Sequence, residues 1–298
     1  MTMSQLTIEQ PVNVKTEAAP QPTMTAATLD IEAYFKRIGY AGERVVSLDV
    51  LEAIIRHHTQ TVPFENLNPL LRWPVRLDLA SVQQKLVREG RGGYCFEQNL
   101  MLSHVLQALG FQVTHLAGRV VWNALPGVIQ PRSHMVLRID LDGKPYIVDV
   151  GFGGLTLTSA LRLEPEVEQS TRHEPFRLSR ADDLLIMQAK LGGKWQSLYH
   201  FDLQKQQLID YEVSSWYICT HPNSHFLTNL MVARTDPEQR YGLRNNELSV
   251  HHVGGITERR TLSSVADFRT ALETVFRLTL PDTPDLDPVL QQFLKKRL

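Results

Sequence analysis

The sequence predicts an α+β fold in which helices come first, an antiparallel β segment follows, and a mixed segment closes the chain. Three observations predict it. Apolar residues recur at helical spacing between Ile31 and Leu109. Beyond Gly110 the pattern shortens to β-rich runs broken by turn residues. From Trp216 onward, strand and helix patterns alternate.

Residues 1–28 are rich in Thr, Gln, Ala and Pro with little periodicity, the composition of a disordered leader. Ile31, Tyr34, Phe35 and Ile38 mark a first helix closed by Gly39. Ser47 is placed to cap a second that runs through Leu51, Ile54 and Ile55. Ser81 to Arg88 forms a third. Phe96, Leu100, Leu102, Val105, Leu106 and Leu109 then define a helix that opens near Cys95 and stops at Gly110. The β runs are Phe111 to His115, Gly118 to Trp122, Met135 to Leu141, Tyr146 to Val150, Phe176 to Leu178, Leu184 to Ala189 and Trp195 to Asp202. Such closely spaced strands argue for a small antiparallel sheet or barrel. Trp216 to Thr220 reads as strand and makes Cys219 a buried strand residue. Phe226 to Val232 and Leu248 to Val253 read likewise, and Ser263 to Leu278 reads as helix.

The 298 residues carry a net charge of −1, so there is no electrostatic footprint for nucleic acid. No apolar stretch approaches the roughly 20 residues that span a bilayer, and the N-terminus lacks a secretory pattern. A cytoplasmic protein is expected. Two cysteines are not a disulfide framework, and no C-x-x-C pattern occurs. The pairs His57-His58 and His251-His252 lack partners at zinc spacing, so no metal site is expected.

Cys95 lies where the glycine-rich run Arg91-Gly92-Gly93-Tyr94 becomes a helix. A thiol is a useful nucleophile only as thiolate, and the unpaired N–H groups and positive dipole end of a helix N-terminus favour that form. An imidazole partner favours it too. The turn pair Asp142-Gly143 joins two β runs into a hairpin. A two-residue turn puts Asp149 opposite Val136. His134 and Asp149 are then diagonal neighbours on one face, with backbones roughly 7–8 Å apart and side chains within reach. Asp149 can fix the tautomer of His134, His134 can take the proton of Cys95, and the thiolate can attack an acyl carbon.

These residues carry a resemblance. Val62-Pro63-Phe64-Glu65-Asn66-Leu67, Arg91-Gly92-Gly93-Tyr94-Cys95, Ser133-His134, Asp149-Val150-Gly151-Phe152-Gly153, His221-Pro222-Asn223-Ser224-His225-Phe226 and Asn229-Leu230 occur in that order. Together they resemble the arylamine N-acetyltransferases, from about Leu29 to near the C-terminus. The resemblance implies an N-terminal helical bundle (29–110) carrying the nucleophile and a central antiparallel β-barrel (111–215) carrying His134 and Asp149. It also implies a C-terminal α/β lid (216–298) and a cysteine-protease-like Cys-His-Asp core.

It further implies transfer of acetyl from acetyl-CoA, as co-substrate, to an arylamine, arylhydroxylamine or hydrazine through a Cys95 thioester in a ping-pong mechanism. Phe64, Val120, Phe152 and Phe226 become walls of the acceptor pocket, with Val120 leaving a roomier slot than the aromatic side chain some relatives carry there. Gln130, Pro131, Gly153, Tyr217 and Asn223 become contacts for coenzyme A. Glu65 has apolar neighbours, so burial would require a cationic partner. Arg91 is the candidate, and the resemblance makes this pair a support for the cysteine loop. The same triad order would also serve a cysteine hydrolase or transglutaminase-like enzyme, although the motif context argues against it. An amide synthase of polyketide assembly fits the same fold. A degenerate, non-catalytic paralogue is disfavoured by the intact triad.

Overall fold

The computed structural model describes residues 28–125 and 127–295. The expected disordered leader, apart from Thr28, lies outside the described residues. Helix α1 (Ile31–Ile38) is capped by Asp30, whose side chain accepts from the Ala33 N–H at 3.0 Å. It ends at Gly39, which turns left-handed at φ 67°. Helix α2 (Leu48–Thr61) is capped by Ser47 as expected.

A two-residue strand, β1 (Phe64–Glu65), and one helical turn, α3 (Leu67–Leu70), follow. Helix α4 (Leu79–Gln83), continued by a π-helical turn (Gln84–Arg88), begins two residues before the expected start. Asp78 caps it, accepting from the Ser81 N–H at 3.0 Å. Helix α5 (Cys95–Ala108) is buried on nearly every side over its first three turns. That explains why polar residues such as Glu97, Gln98 and Asn99 interrupt its apolar pattern and yet are buried.

Seven strands form the central sheet: β2 (Gln112–Val120), β3 (His134–Leu141), β4 (Lys144–Val148), β5 (Leu161–Arg162), β6 (Phe176–Ala181), β7 (Leu184–Leu191) and β8 (Lys194–Phe201). Their antiparallel order is β5-β4-β3-β2-β8-β7-β6. The sheet closes nearly into a barrel because the loop after β5 bridges to the opposite edge at Pro165↔Leu178 and Gln169↔Phe176. The expected runs Phe111 to His115 and Gly118 to Trp122 are one continuous strand, β2. The β3–β4 hairpin has the expected register, with Leu137 opposite Val148. Asp142 and Gly143 both take positive φ, 49° and 71°, the geometry a tight hairpin turn requires.

Strand β3 is buried on both faces. Met135, Leu137 and Ile139 pack with the helices, while Val136 joins Leu116, Ile147, Phe176, Met187 and Phe201 inside the barrel.

The remainder comprises α6 (Leu208–Thr220), β9 (Met231–Asp236), β10 (Gln239–Arg244), β11 (Glu247–His252), β12 (Thr257–Thr261), α7 (Val265–Thr270) with a π-helical continuation (Ala271–Val275), and α8 (Leu286–Phe293). Two sequence expectations are corrected here. Cys219 is helical rather than in a strand. Asp210 accepts from the Gln207 N–H to start α6, and Tyr211, Ser215 and Ile218 turn one helical face inward. Phe226 sits in a single 3₁₀ turn (His225–Leu227) capped by Ser224, and the strand begins only at Met231.

A five-stranded sheet has the order β1-β9-β10-β11-β12. The short β1 thus fastens the N-terminal half to the last sheet, with Phe64 opposite Ala233 and Glu65 opposite Val232. Leu67, Leu70 and Leu71 join Leu230, Val232, Phe268, Leu272 and Phe276 in the core behind that sheet. Among the described residues no helix is long and apolar enough to cross a membrane.

Candidate active site

Cys95 is the first residue of α5 and is buried at 4% exposure. Its Sγ lies 3.6 Å from the Ser133 carbonyl oxygen, which places the thiol beside the residue preceding His134. The loop before it is pinned by backbone contacts. The Gly93 N–H donates to the Pro63 carbonyl and the Glu65 N–H to the Gly93 carbonyl, both at 3.2 Å. Gly92 admits no side chain, since a Cβ there would lie 2.1 Å from the Pro63 carbonyl oxygen. Gln98 donates to the Gly93 carbonyl at 2.8 Å and ties loop to helix.

His134 begins β3 and Asp149 follows β4, so the hairpin brings both to one face. His134 Nε2 and Asp149 Oδ2 are 2.7 Å apart, with the two residues 2% and 0% exposed. The ring nitrogen left for the thiol is therefore Nδ1. Burial opposes an imidazolium, but the Asp149 charge and its hydrogen bond outweigh burial, with Cys95 adding to the effect, and lift His134 to about 10. Burial would raise Asp149. The imidazole, Asn99 and the Gly151 N–H instead hold it below the ordinary carboxylate range.

Asn99 is a residue of this cluster that sequence reasoning missed. Its Nδ2 donates to Asp149 Oδ1 at 3.0 Å and to the Met135 carbonyl at 2.9 Å, while its Oδ1 accepts from the Val150 N–H at 3.0 Å. One turn after Cys95, it joins α5 to both strands of the hairpin; the spacing Cys95 to Asn99 was the available signal. Tyr199 of β8 was missed as well. Its ring centroid is 4.7 Å from that of His134, and burial together with the Asp149 charge pushes its phenol well above the ordinary range. Gly151 closes the site: a Cβ there would lie 2.6 Å from the Cys95 Cα.

Glu65 and Arg91 meet as expected, at 2.9 Å, with Glu65 0% exposed, but they are not alone. Lys85 lies 3.4 Å from Glu65 and 2.8 Å from Glu97, and the Glu97 side chain accepts from the Tyr94 N–H at 3.1 Å at the start of α5. Four buried charges, from β1, the π-helical turn, the cysteine loop and α5, thus meet at the base of that loop. Burial opposes both carboxylates, yet Lys85 and Arg91 together bring Glu65 below its ordinary range. Glu97 has Lys85 but also faces Glu65, and burial leaves it above. No local pattern marked Lys85 or Glu97, because Tyr94 stands where a capping box would show Ser or Thr.

The expected acceptor-pocket residues are all half-buried around this centre. Phe152 packs edge-on against His134 at 5.3 Å and lies 5.3 Å from Tyr199. Val120 pairs with Tyr199 across β2 and β8. Phe64 lies edge-on to Phe226 at 6.2 Å, and Phe226 continues to Tyr94 at 5.5 Å. Among the residues expected to contact coenzyme A, Gly153 is buried with φ 88° against Phe64. Gln130 and Pro131 stand in the loop that leads into His134, where Arg119 donates to the Gln130 carbonyl. Tyr217 stacks on His221 at 4.4 Å on the outer face of α6, and the Asn223 N–H donates to His221 Nδ1 at 3.3 Å.

Known proteins share this architecture. A family model described as N-acetyltransferase matches residues 47–284. The arylamine N-acetyltransferase of Mycolicibacterium smegmatis is 44% identical over 263 residues, covering 87% of this chain and 95% of that protein. The arylamine N-acetyltransferase / N-hydroxyarylamine O-acetyltransferase of Salmonella typhimurium is 35% identical, covering 85% of this chain and 90% of that protein. The structure of Mycobacterium marinum arylamine N-acetyltransferase in complex with CoA superposes with a TM-score of 0.86 at 39% identity, covering 89% of this chain and 99% of that one. On matches of this extent, carried by nearly the whole described fold, the chain belongs to the arylamine N-acetyltransferase family and is an acyltransferase.

Proposed function

We propose that this acyltransferase moves acetyl from acetyl-CoA to an arylamine, arylhydroxylamine or hydrazine in two steps, through an acetyl thioester on Cys95. The observation that carries the reading is the buried contact of His134 Nε2 with Asp149 Oδ2 at 2.7 Å, beside a cysteine at a helix start. In the first step the Cys95 thiolate attacks the acetyl carbonyl carbon. The bond from that carbon to the coenzyme A sulfur breaks, and the leaving thiolate takes the proton from His134. In the second, the acceptor nitrogen (or hydroxylamine oxygen) attacks the thioester and gives its proton to His134, and the Cys95 thiolate departs. Asp149 holds the imidazole and balances its charge.

The relative from Salmonella typhimurium, named for both N- and O-acetyl transfer, supports the two acceptor classes, and the Mycobacterium marinum complex supports coenzyme A as the carrier. Phe152 packs on His134, Val120 pairs with Tyr199 and Phe64 packs on Phe226; these half-buried apolar side chains are the proposed walls for a flat aromatic amine. Gln130, Pro131, Gly153, Tyr217 and Asn223 are the proposed coenzyme A contacts, Glu65 and Arg91 hold the cysteine loop, and the cytoplasm is the proposed compartment.

Mixing the protein with acetyl-CoA and no acceptor is expected to add one acetyl group, mapped by peptide mass to Cys95. Cys95→Ala should show neither the adduct nor amine acetylation. Wild-type-like turnover in that variant would sink the mechanism. Discharge of the adduct by water as fast as by an arylamine would favour a hydrolase.

A further inference from the structure

We infer that Arg240, from the last sheet, is a positioning residue for the loop that carries Phe152, acting through Thr156. The inference rests on the reading of Phe152 as a wall of the acceptor pocket.

Arg240 is 2% exposed. Its guanidinium faces the Glu174 carboxylate, with Nε 3.0 and 2.9 Å from the two carboxylate oxygens and Nη2 2.8 Å from one of them. The other arm leaves the ion pair: Nη1 donates to the Thr156 carbonyl at 3.0 Å and to the Gly154 carbonyl at 3.4 Å. A planar fork lets one side chain hold a carboxylate on one edge and backbone on another, which an ammonium does less well.

Thr156 is where this grip reaches the site. Its hydroxyl donates to the Asp149 carbonyl at 2.8 Å and accepts from the Phe152 N–H at 3.4 Å. Its N–H donates to the Gly153 carbonyl at 3.1 Å, and the Leu157 N–H returns to the Asp149 carbonyl at 3.1 Å. The segment 150–156 is therefore a closed loop laced across its base, with Arg240 gripping the outside. Glycines at 151, 153 and 154 give it little stiffness of its own.

The two ends of the loop differ in what else holds them. The Asp149 carboxylate has independent partners in His134, Asn99 and the Gly151 N–H. The Phe152 backbone is held through Thr156. Loosening the clamp should therefore move the pocket wall and leave the triad in place. The acceptor half-reaction is expected to suffer. Because Gly153, a proposed coenzyme A contact, sits in the same loop, the KM for acetyl-CoA can rise with it, but the rate of acetyl-enzyme formation at saturating acetyl-CoA is not expected to fall.

Two variants test this in the full-length protein. Arg240→Lys keeps the charge and loses the fork. Thr156→Val keeps the carbonyl and the ion pair and loses the hydroxyl. In both, amide exchange across 150–157 should rise, and the KM for aniline and for a bulky 4-substituted aniline should rise by about tenfold, the scale of one hydrogen bond. The ratio of kcat/KM between the two anilines should change, while single-turnover acetylation at saturating acetyl-CoA stays within about threefold. Phe152→Ala serves as reference. If it leaves both KM values unchanged, the pocket reading fails, whatever the exchange data show. If it changes them while the clamp variants raise neither exchange nor KM, the clamp is overturned. Equal losses in both half-reactions, or failure of both variants to fold, would assign Arg240 and Thr156 to the scaffold alone and also overturn it.

Discussion

Two buried polar clusters flank Cys95, and they are built on opposite principles. On one side, a single carboxylate, Asp149, is matched by one imidazole and by short-range hydrogen bonds from Asn99 and the Gly151 N–H. On the other, Glu65, Lys85, Arg91 and Glu97 balance two charges of each sign. The first cluster can change protonation without coming apart, because Asp149 keeps its N–H donors whatever the state of His134. The second depends above all on Glu65, which both cations face, since removing it leaves Lys85 and Arg91 buried with one carboxylate between them. The first is suited to chemistry and the second to holding a loop.

The largest expected effect breaks the first cluster. Asp149→Asn removes the charge that supports the His134 imidazolium and should reduce acetyl-enzyme formation by about 10⁴-fold, the scale seen when a triad carboxylate becomes an amide. Stopped-flow acetylation checks it, with circular dichroism as control. A loss below tenfold in a folded variant would mean that His134 does not rely on Asp149. The same contact predicts a pH signature. His134 is raised above its ordinary 6.5, so the stability it contributes is fully present below 6.5 and is lost as pH rises through about 10. Asp149 is lowered, so its contribution is present above its ordinary 3.8 and is lost as pH falls below that. Urea midpoints for wild type should decline at both ends, and Asp149→Asn should flatten both limbs.

The second cluster should fail in stability before it fails in chemistry. Glu65→Gln leaves Arg91 and Lys85 with one carboxylate between them, and a broken buried pair costs about 3–5 kcal/mol. Denaturant unfolding measures this, and a loss under about 1 kcal/mol would show that the charges are not interdependent.

The same contrast explains what was legible in the sequence. The Asp149 cluster is built largely within one hairpin, whose register follows from the Asp142-Gly143 turn and period-2 alternation, so the meeting of His134 with Asp149 followed from spacing alone. The charged cluster joins residues from β1, the π turn after α4, the cysteine loop and α5; the apolar neighbours of Glu65 pointed to a cationic partner with Arg91 the candidate, and the motif resemblance gave that pair its role. Lys85 and Glu97 were invisible because nothing local requires them to be buried. Similar reasons account for the elements misread. Trp216 to Thr220 has strand-like residue types, but it is the end of α6, whose inward face, Tyr211, Ser215 and Ile218, has helical spacing and includes a serine. Ser224 caps a 3₁₀ turn where aromatic and β-branched residues read as strand.

A smaller effect concerns the seam between helix and hairpin. Gly151→Ala puts a Cβ 2.6 Å from the Cys95 Cα and 3.0 Å from Asn99 Nδ2, so either Cys95 or the Asp149 loop must shift. A displacement on the order of 1 Å is expected to cost about 10²-fold in acetylation, with both clusters otherwise intact. Single-turnover kinetics decide it: a rate within threefold of wild type would show that the seam yields at no cost to the reacting geometry.

The smallest effect separates the two carboxylates within the charged cluster. Glu65 is held below its ordinary range and Glu97 above, although both touch Lys85. For Glu97 the shift favours the protonated form in the fold. Its contribution to stability is therefore present below its ordinary 4.5 and is lost as pH rises through its higher folded value. At neutral pH the ionised carboxylate is thus a net cost that the Lys85 contact only partly offsets. Glu97→Gln removes that cost while its amide oxygen can still accept from the Tyr94 N–H or Lys85, so the loss at pH 7 should be only about 1 kcal/mol. Glu65 gains from ionisation, and its substitution should cost several times more. Urea unfolding of both variants at pH 7 provides the comparison. A Glu97→Gln loss equal to that of Glu65→Gln would mean that the four charges act as one indivisible unit.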